Sequence, residues 1–292
     1  MRRSIGVPVA AVLGFAALSM AQSQAPTAPW GPPPILQRYR EMVKVGRGDP
    51  HQANEHAWAT AYAKSKIPFY IVAMTSMSGA SDAWYFSAFS SFKELDEQTT
   101  AIGNNKELTA AVNAYALKDA DYISDGIGSF WVLRPDLSYR DTIVWSQMHA
   151  YEMITVRARP GHNNDVTQIA QKFRATHMAA QTSARWAMYQ GFAGVPDGTF
   201  LVIIPHKNVA DLDVGMKEDP QFNKALGDVG AKELDKLSSD GIISLQTDIY
   251  AVDPKMSYVA ASWLAADADF WKGAAVIQAG SPAPAKKEAK KP

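Results

Sequence analysis

The sequence predicts an α+β protein built from two tandem β-α-β-β-α-β modules, over residues 37–143 and 144–262. Three observations lead there. Short landmarks recur along the chain in the same order. Strand-type and helix-type periodicities alternate in the same order within each copy. The composition, 292 residues with 47% hydrophobic and 20% charged side chains, suits a folded core rather than long disorder.

The recurrence is internal repetition at a nearly constant offset. Arg40-Glu41-Met42-Val43-Lys44-Val45 is echoed by Tyr151-Glu152-Met153-Ile154-Thr155-Val156, with Met42 and Met153 111 residues apart. His51 and His162 keep that spacing. Ser78-Gly79-Ala80-Ser81-Asp82 matches Ala193-Gly194-Val195-Pro196-Asp197 at 115, and Ser124-Asp125-Gly126-Ile127 recurs as Ser239-Asp240-Gly241-Ile242, also at 115. Pro135-Asp136-Leu137-Ser138-Tyr139 matches Pro254-Lys255-Met256-Ser257-Tyr258 at 119.

Each module opens on a β-branched, alternating strand, Glu41–Val45 and its partner around Glu152. A Gly-containing turn follows, Gly46–Pro50 or Arg159-Pro160-Gly161. Helices come next, over His51–Lys66 and Asp165–Ala180, with Ala53, Ala57, Trp58 and Ala61 in one copy and Ile169 and Phe173 in the other at helical spacing. Phe69–Met74 and Trp84–Phe89 are strands joined by a Gly-containing loop, as are Trp186–Gln190 and Phe200–Ile204. Helical stretches occupy Ser91–Thr99 and Lys106–Tyr122, then Ala210–Met216 and Phe222–Lys236. The final strands run through Phe130–Leu133 and Ile243–Ala251, each after an Asp-Gly read as a turn at Asp125-Gly126 and Asp240-Gly241.

The ends of the chain read differently. Arg2 and Arg3, the apolar run Ile5–Met20 and the small residues Ser19 and Ala21 form an export signal over residues 1–21, with cleavage expected near Ala21. Removing it takes two Arg away and leaves 27 Lys+Arg against 29 Asp+Glu. Residues 22–36 read as a Pro-rich linker, and 263–292 as a C-terminal segment with a disordered Lys/Pro/Ala tail. A periplasmic or extracellular address follows, with no transmembrane span in the mature chain. Balanced charge, 29 bases against 29 acids in the whole chain, argues against a nucleic-acid partner. The absence of Cys excludes disulfides, thiolate catalysis, Cys-ligated zinc, iron–sulfur clusters and covalent haem.

The module order is that of the ferredoxin-like split βαβ unit. One such unit leaves a sheet face uncovered, and two can press those faces together as an intrachain pseudo-dimeric α+β barrel. Through the Glu-Met strand opening, the Arg-Pro-Gly-His turn at Arg159–His162 and the Pro-x-x-Ser-Tyr endings, residues 37–262 resemble the dimeric α+β barrel superfamily in a tandem form, similar to NIPSNAP-like exported bacterial proteins of unknown function. The resemblance implies a barrel and ligand clefts between each sheet and its helices. The superfamily includes cofactor-free monooxygenases, muconolactone isomerase-like enzymes and haem-binding chlorite dismutases, and no motif here selects one of them.

Candidate chemistry comes from polar residues on apolar faces. Glu41 and Glu152 stand at matched places in the repeat; a carboxylate on such a face has a raised pKa and can act as a base. His149 and His177 are candidate proton shuttles or axial ligands of a b-type haem. Glu152, His149 and His177 are thus the candidate catalytic residues, and Glu41, Trp84, Trp131 and Trp186 the candidate lining of an apolar or aromatic ligand site. His51 and His162 read as helix-start residues. His51 and Glu55 share a helix face, but His56 is turned away by the helix period, so a third ligand would have to come from elsewhere and no metal is predicted. No other cofactor is predicted, with haem as the alternative. The leading function is binding of a small apolar or aromatic molecule; the rivals are a cofactor-free monooxygenase or isomerase, a haem protein, and a structural or stress-related protein whose barrel is filled. A cavity walled by His149, Glu152 or His177 separates the binding readings from the last.

Overall fold

The computed structural model describes residues 31–67 and 69–276. The predicted signal peptide, most of the predicted linker and the Lys/Pro/Ala tail from Gly280 lie outside the described residues.

Eight strands form a closed antiparallel barrel. They are β1 (Ile35–Val43), β2 (Val72–Ser76), β3 (Asp82–Phe89), β4 (Ile123–Leu133), β5 (Ala150–Ala158), β6 (Ala187–Ala193), β7 (Thr199–His206) and β8 (Ile242–Val252). Around the barrel the order is β1-β3-β2-β8-β5-β7-β6-β4, and β4 returns to β1. Within the first half the strands lie β4-β1-β3-β2, and within the second β8-β5-β7-β6, the same order. The halves join edge to edge, β2 on β8 and β6 on β4, so neither sheet keeps a free edge.

Helices cover the outside. They are α1 (Gly48–Lys64), α2 (Phe92–Asn104) and α3 (Lys106–Tyr122) in the first half, and α4 (Asn163–Ala180) and α5 (Leu212–Gly241) in the second. Ser91 caps α2 by accepting from the Glu94 backbone N–H, and Asn105 caps α3 by accepting from Leu108. The second half breaks its corresponding helix differently: α5 runs on past Pro220 and kinks at Gly227, whose φ is 63°. The short helix α6 (Ala261–Ala266) and the strand pair β9 (Tyr258–Val259) with β10 (Ala275–Val276) follow β8.

Several boundaries differ from the sequence reading. β1 starts at Ile35, inside the stretch assigned to the linker. β4 and β8 are each 11 residues long, because a barrel strand is held by two neighbours and extends beyond its apolar part. Asp125 and Gly126 therefore lie inside β4 instead of forming a turn, while Gly241 ends α5. Part of the segment after residue 262 is folded onto the barrel, as Trp271 is fully buried there.

The register also corrects the repeat. Val43 pairs with Ile123 and Ala158 with Ile242, each just after an irregularity in the ladder. Lys44 N–H bonds to the Tyr122 carbonyl as Arg159 N–H bonds to that of Gly241. Val43 thus corresponds to Ala158, an offset of 115 rather than 111. Glu41 corresponds to Val156 and Glu152 to Gln37, so the two glutamates are not equivalent. The matched Ser-Asp-Gly-Ile strings are out of step for the same reason, one in a strand and the other at a helix end. Hydrogen-bond register, not letter identity, decides equivalence, and a four-residue slip still keeps strand faces aligned.

Gly79 and Gly194 do keep step. Both turn their hairpins with positive φ, 76° and 77°. A Cβ on Gly194 would collide with the Gly128 carbonyl oxygen of neighbouring β4, which is backbone and cannot swing away. Gly194→Ala is expected to destabilise the protein by about 1–3 kcal/mol through strain and that clash, measured by denaturant unfolding. A loss under about 0.5 kcal/mol would show that the turn relaxes freely.

Candidate functional site

The barrel interior is packed. Leu36, Phe86, Tyr151, Met153, Leu201 and Tyr250 fill it together with Trp84 and Trp131. Between those two tryptophans sits the Arg38 guanidinium, 4.4 and 5.0 Å from the ring centroids. Burial, and then Arg40 beside it, lowers the Arg38 pKa to about 10. Trp84 and Trp131, proposed from sequence as ligand lining, are thus gathered around a buried arginine within the barrel. Arg40 turns inward as well, to Asp82, and does not pair with Glu41.

Open space lies instead on the outer face of each half-sheet, under the helices. In the second half a cleft of about 890 Å³ runs between the sheet and α4 and α5. β5 places Glu152, Ile154 and Val156 on its floor, since alternate residues of a strand share a face. Phe173 and His177 come from α4, Phe222 from α5, and Trp186 from the approach to β6. The walls are mainly apolar, and on the sheet side Glu152 Oε2 lies 3.9 Å from His206 Nε2. That imidazole nitrogen is buried and has no hydrogen-bond partner. His177 shares a 2.7 Å hydrogen bond with the Thr182 hydroxyl and packs against Phe222, and burial lowers its pKa below the usual imidazole value.

Of the sequence candidates, the fold brings Glu152, His177 and Trp186 to this one cleft. His149 is elsewhere: it stacks on Phe270 with ring centroids 3.6 Å apart and bonds to Asp267 at 2.8 Å. The chain after β8 claims it, a contact invisible to local periodicity. His206 was not singled out, yet Val202, Ile204 and His206 alternate along β7 and share the cleft face.

The first half has a smaller cleft, about 470 Å³, between its sheet and α1 to α3. Glu41 is on its wall. His51 does not cap α1. It lies in the first turn with its ring turned to the sheet, and its Nε2 shares a 2.7 Å hydrogen bond with Glu41 Oε2. Glu55 is one helical turn further along the same face, and Tyr85 and Asp119 complete the group. His162, matched to His51 by the sequence repeat, instead stands immediately before α4 and bonds Asp165 at 2.7 Å. His56 points away to the Lys255 carbonyl, as its helical phase requires. The third group beside His51 and Glu55 is Glu41, from β1.

Fold and clefts together define an α+β protein with an eight-stranded antiparallel barrel and one sheet–helix cleft in each half. No protein-family model matches the chain, and no curated protein does. Similar solved structures include an anthrone oxidase-like protein, 10% identical with a TM-score of 0.49 over 75% of this chain and 91% of that one. A candidate monooxygenase from Fusobacterium nucleatum subsp. nucleatum is 10% identical, with a TM-score of 0.48 over 76% of this chain and 93% of the other. A variant of the chlorite dismutase from Candidatus Nitrospira defluvii is 9% identical, with a TM-score of 0.45 over 76% of this chain and 93% of that one. Likeness at this level assigns no activity. Among the described residues, no helix is long and apolar enough to cross a membrane.

Proposed function

We propose that this protein binds a small apolar or aromatic molecule, carrying one hydrogen-bonding group, in the cleft of its second half. The observation that carries the reading is the cleft itself: about 890 Å³, within the range of small-molecule sites, with mainly apolar walls and the Glu152–His206 pair on its sheet side. The ring or chain of the ligand lies among Ile154, Phe173, Trp186 and Phe222, and its polar group meets the unpartnered His206 nitrogen beside Glu152. This is the ligand-binding reading of the sequence, with Glu152 and His177 as wall residues and any acid–base role for them as part of the same proposal.

The wider setting belongs to the proposal too. Equal strand order in the two halves, with a ladder irregularity at the same place, supports a tandem of ferredoxin-like modules and a place in the dimeric α+β barrel superfamily. The basic and apolar start of the chain supports export.

The test is titration of untagged mature protein with 2-naphthol, an aromatic ring bearing one hydroxyl, followed by tryptophan fluorescence and native mass spectrometry. One molecule per chain is expected. Ile154→Trp fills the cleft and is expected to weaken binding at least about tenfold, or 1.4 kcal/mol, and His206→Leu to weaken it several-fold, while far-ultraviolet circular dichroism stays unchanged. Absence of saturable binding, or equal affinity in Ile154→Trp, would overturn the reading. A Soret band in freshly isolated protein would replace it with haem binding.

A further inference from the structure

We propose a second, separate site: the first-half cleft holds a divalent first-row transition-metal ion between Glu41, His51 and Glu55. The donor atoms of these three side chains all lie within 4.8 Å of one another. Metal–ligand distances of about 2.0–2.2 Å place donors of one ion roughly 3–4 Å apart, so the triad closes on an ion with small side-chain shifts. All three are deeply buried, with exposures of 3%, 2% and 7%. They come from rigid elements, Glu41 from β1 and the other two from successive turns of α1.

A second observation points to a cation at this place. Glu55 Oε1 is buried without a hydrogen-bond partner. Among the described residues, three carboxylates, Glu41, Glu55 and Asp119, line this cleft, and no Lys or Arg does. Asn54 gives one hydrogen bond to Asp119, at 2.8 Å, and the single imidazole serves Glu41. Buried acids gathered this way need protons or a metal ion to offset them.

The second half supplies a control within the same molecule. By hydrogen-bond register, Glu41 corresponds to Val156 and Tyr85 to Val202. The matched helix starts pair His51 with Val166 and Glu55 with Ala170. The fold satisfies these positions with apolar side chains, so the polar triad is not required by the architecture.

Two carboxylates and one imidazole suit a borderline ion such as zinc or manganese better than calcium. Three protein ligands, two of them on the wall of the cleft, leave coordination positions for water or a ligand, the pattern of an open site.

Zinc and manganese binding to untagged, EDTA-treated protein tests the proposal, by isothermal titration calorimetry and native mass spectrometry. One ion per chain is expected for at least one of the two metals, with a Kd below about 10 μM, or roughly −7 kcal/mol. Glu41→Gln, Glu55→Gln and His51→Gln should each weaken it at least about tenfold. Glu55→Gln is nearly isosteric and leaves one acid fewer in the cleft, so it remains a test should the His51 variant not fold. His162→Gln, which changes the half-buried His162–Asp165 pair in the other half, should bind as wild type does. No saturable binding of either ion at about 100 μM, or wild-type affinity in Glu55→Gln, would overturn the site.

Discussion

Replacing Asp82 by Ala is expected to destabilise the protein by about 3–5 kcal/mol, the cost of stranding buried charges. The Asp82 carboxylate is almost wholly buried in the barrel and receives the Arg40 Nε–H at 2.5 Å, the Tyr250 hydroxyl at 2.9 Å and the Trp84 indole N–H at 3.2 Å. It also offsets Arg38, held between Trp84 and Trp131 with an unpartnered Nε. Without Asp82, buried Arg38 and part-buried Arg40 are left side by side with no carboxylate between them, and two further donors lose their acceptor. The midpoint of thermal unfolding should fall by roughly 10 °C, at 2–4 °C per kcal/mol for a chain of this size. A spectroscopic readout separates the charge from the packing. The Tyr250 pKa is raised first by burial and then by Asp82, so its phenolate absorbance should appear at lower pH in the variant. Asp82→Asn, which keeps an acceptor, should cost less than Asp82→Ala. A loss below about 1 kcal/mol in Asp82→Ala would mean that the barrel polar cluster contributes little.

Trp271→Ala is expected to cost a similar amount, about 3–5 kcal/mol. Trp271 is fully buried at the barrel end where β5 begins. Its indole N–H bonds to the Ser146 carbonyl at 2.8 Å, and Trp263 and Phe270 meet it edge-on at 5.2 and 5.1 Å. Truncation leaves a large void and orphans the Ser146 carbonyl, and neither is repaired by small shifts in a close-packed interior. Denaturant unfolding measures the loss. Neither Trp271 nor its partners line the two clefts, so 2-naphthol and zinc affinities should stay within about twofold of wild type below the unfolding transition. Full stability in the variant would show that the chain after β8 is only draped on the barrel.

These two side chains illustrate what a linear reading misses. Asp82 is one acidic residue beside a loop, and Trp271 one aromatic in a segment first assigned to the C-terminal extension. Each gains its role from residues more than 100 positions away, Tyr250 for one and Ser146 for the other. Glu152 and His177 were legible as candidates because strand and helix periods show which side chains share a face, Glu41 through its apparent match to Glu152, and Trp186 as one of many aromatics. Their companions His206 and Asp119 were not, since closeness across a sheet–helix gap leaves no periodic trace. His51 and Glu55 were read correctly as sharing a helix face, but their third neighbour comes from another element.

The sequence by itself determined the order of strands and helices and the approximate place of each, because hydrophobic period and turn chemistry are local. It also pointed to a repeated pattern, while placing two of its landmarks four residues out of step. Only the tertiary structure decided the register, the closure of eight strands into one barrel, and which polar groups meet. Those follow from hydrogen bonding between distant strands and from burial, whose energy depends on what lies opposite a side chain and not on what precedes it in the chain.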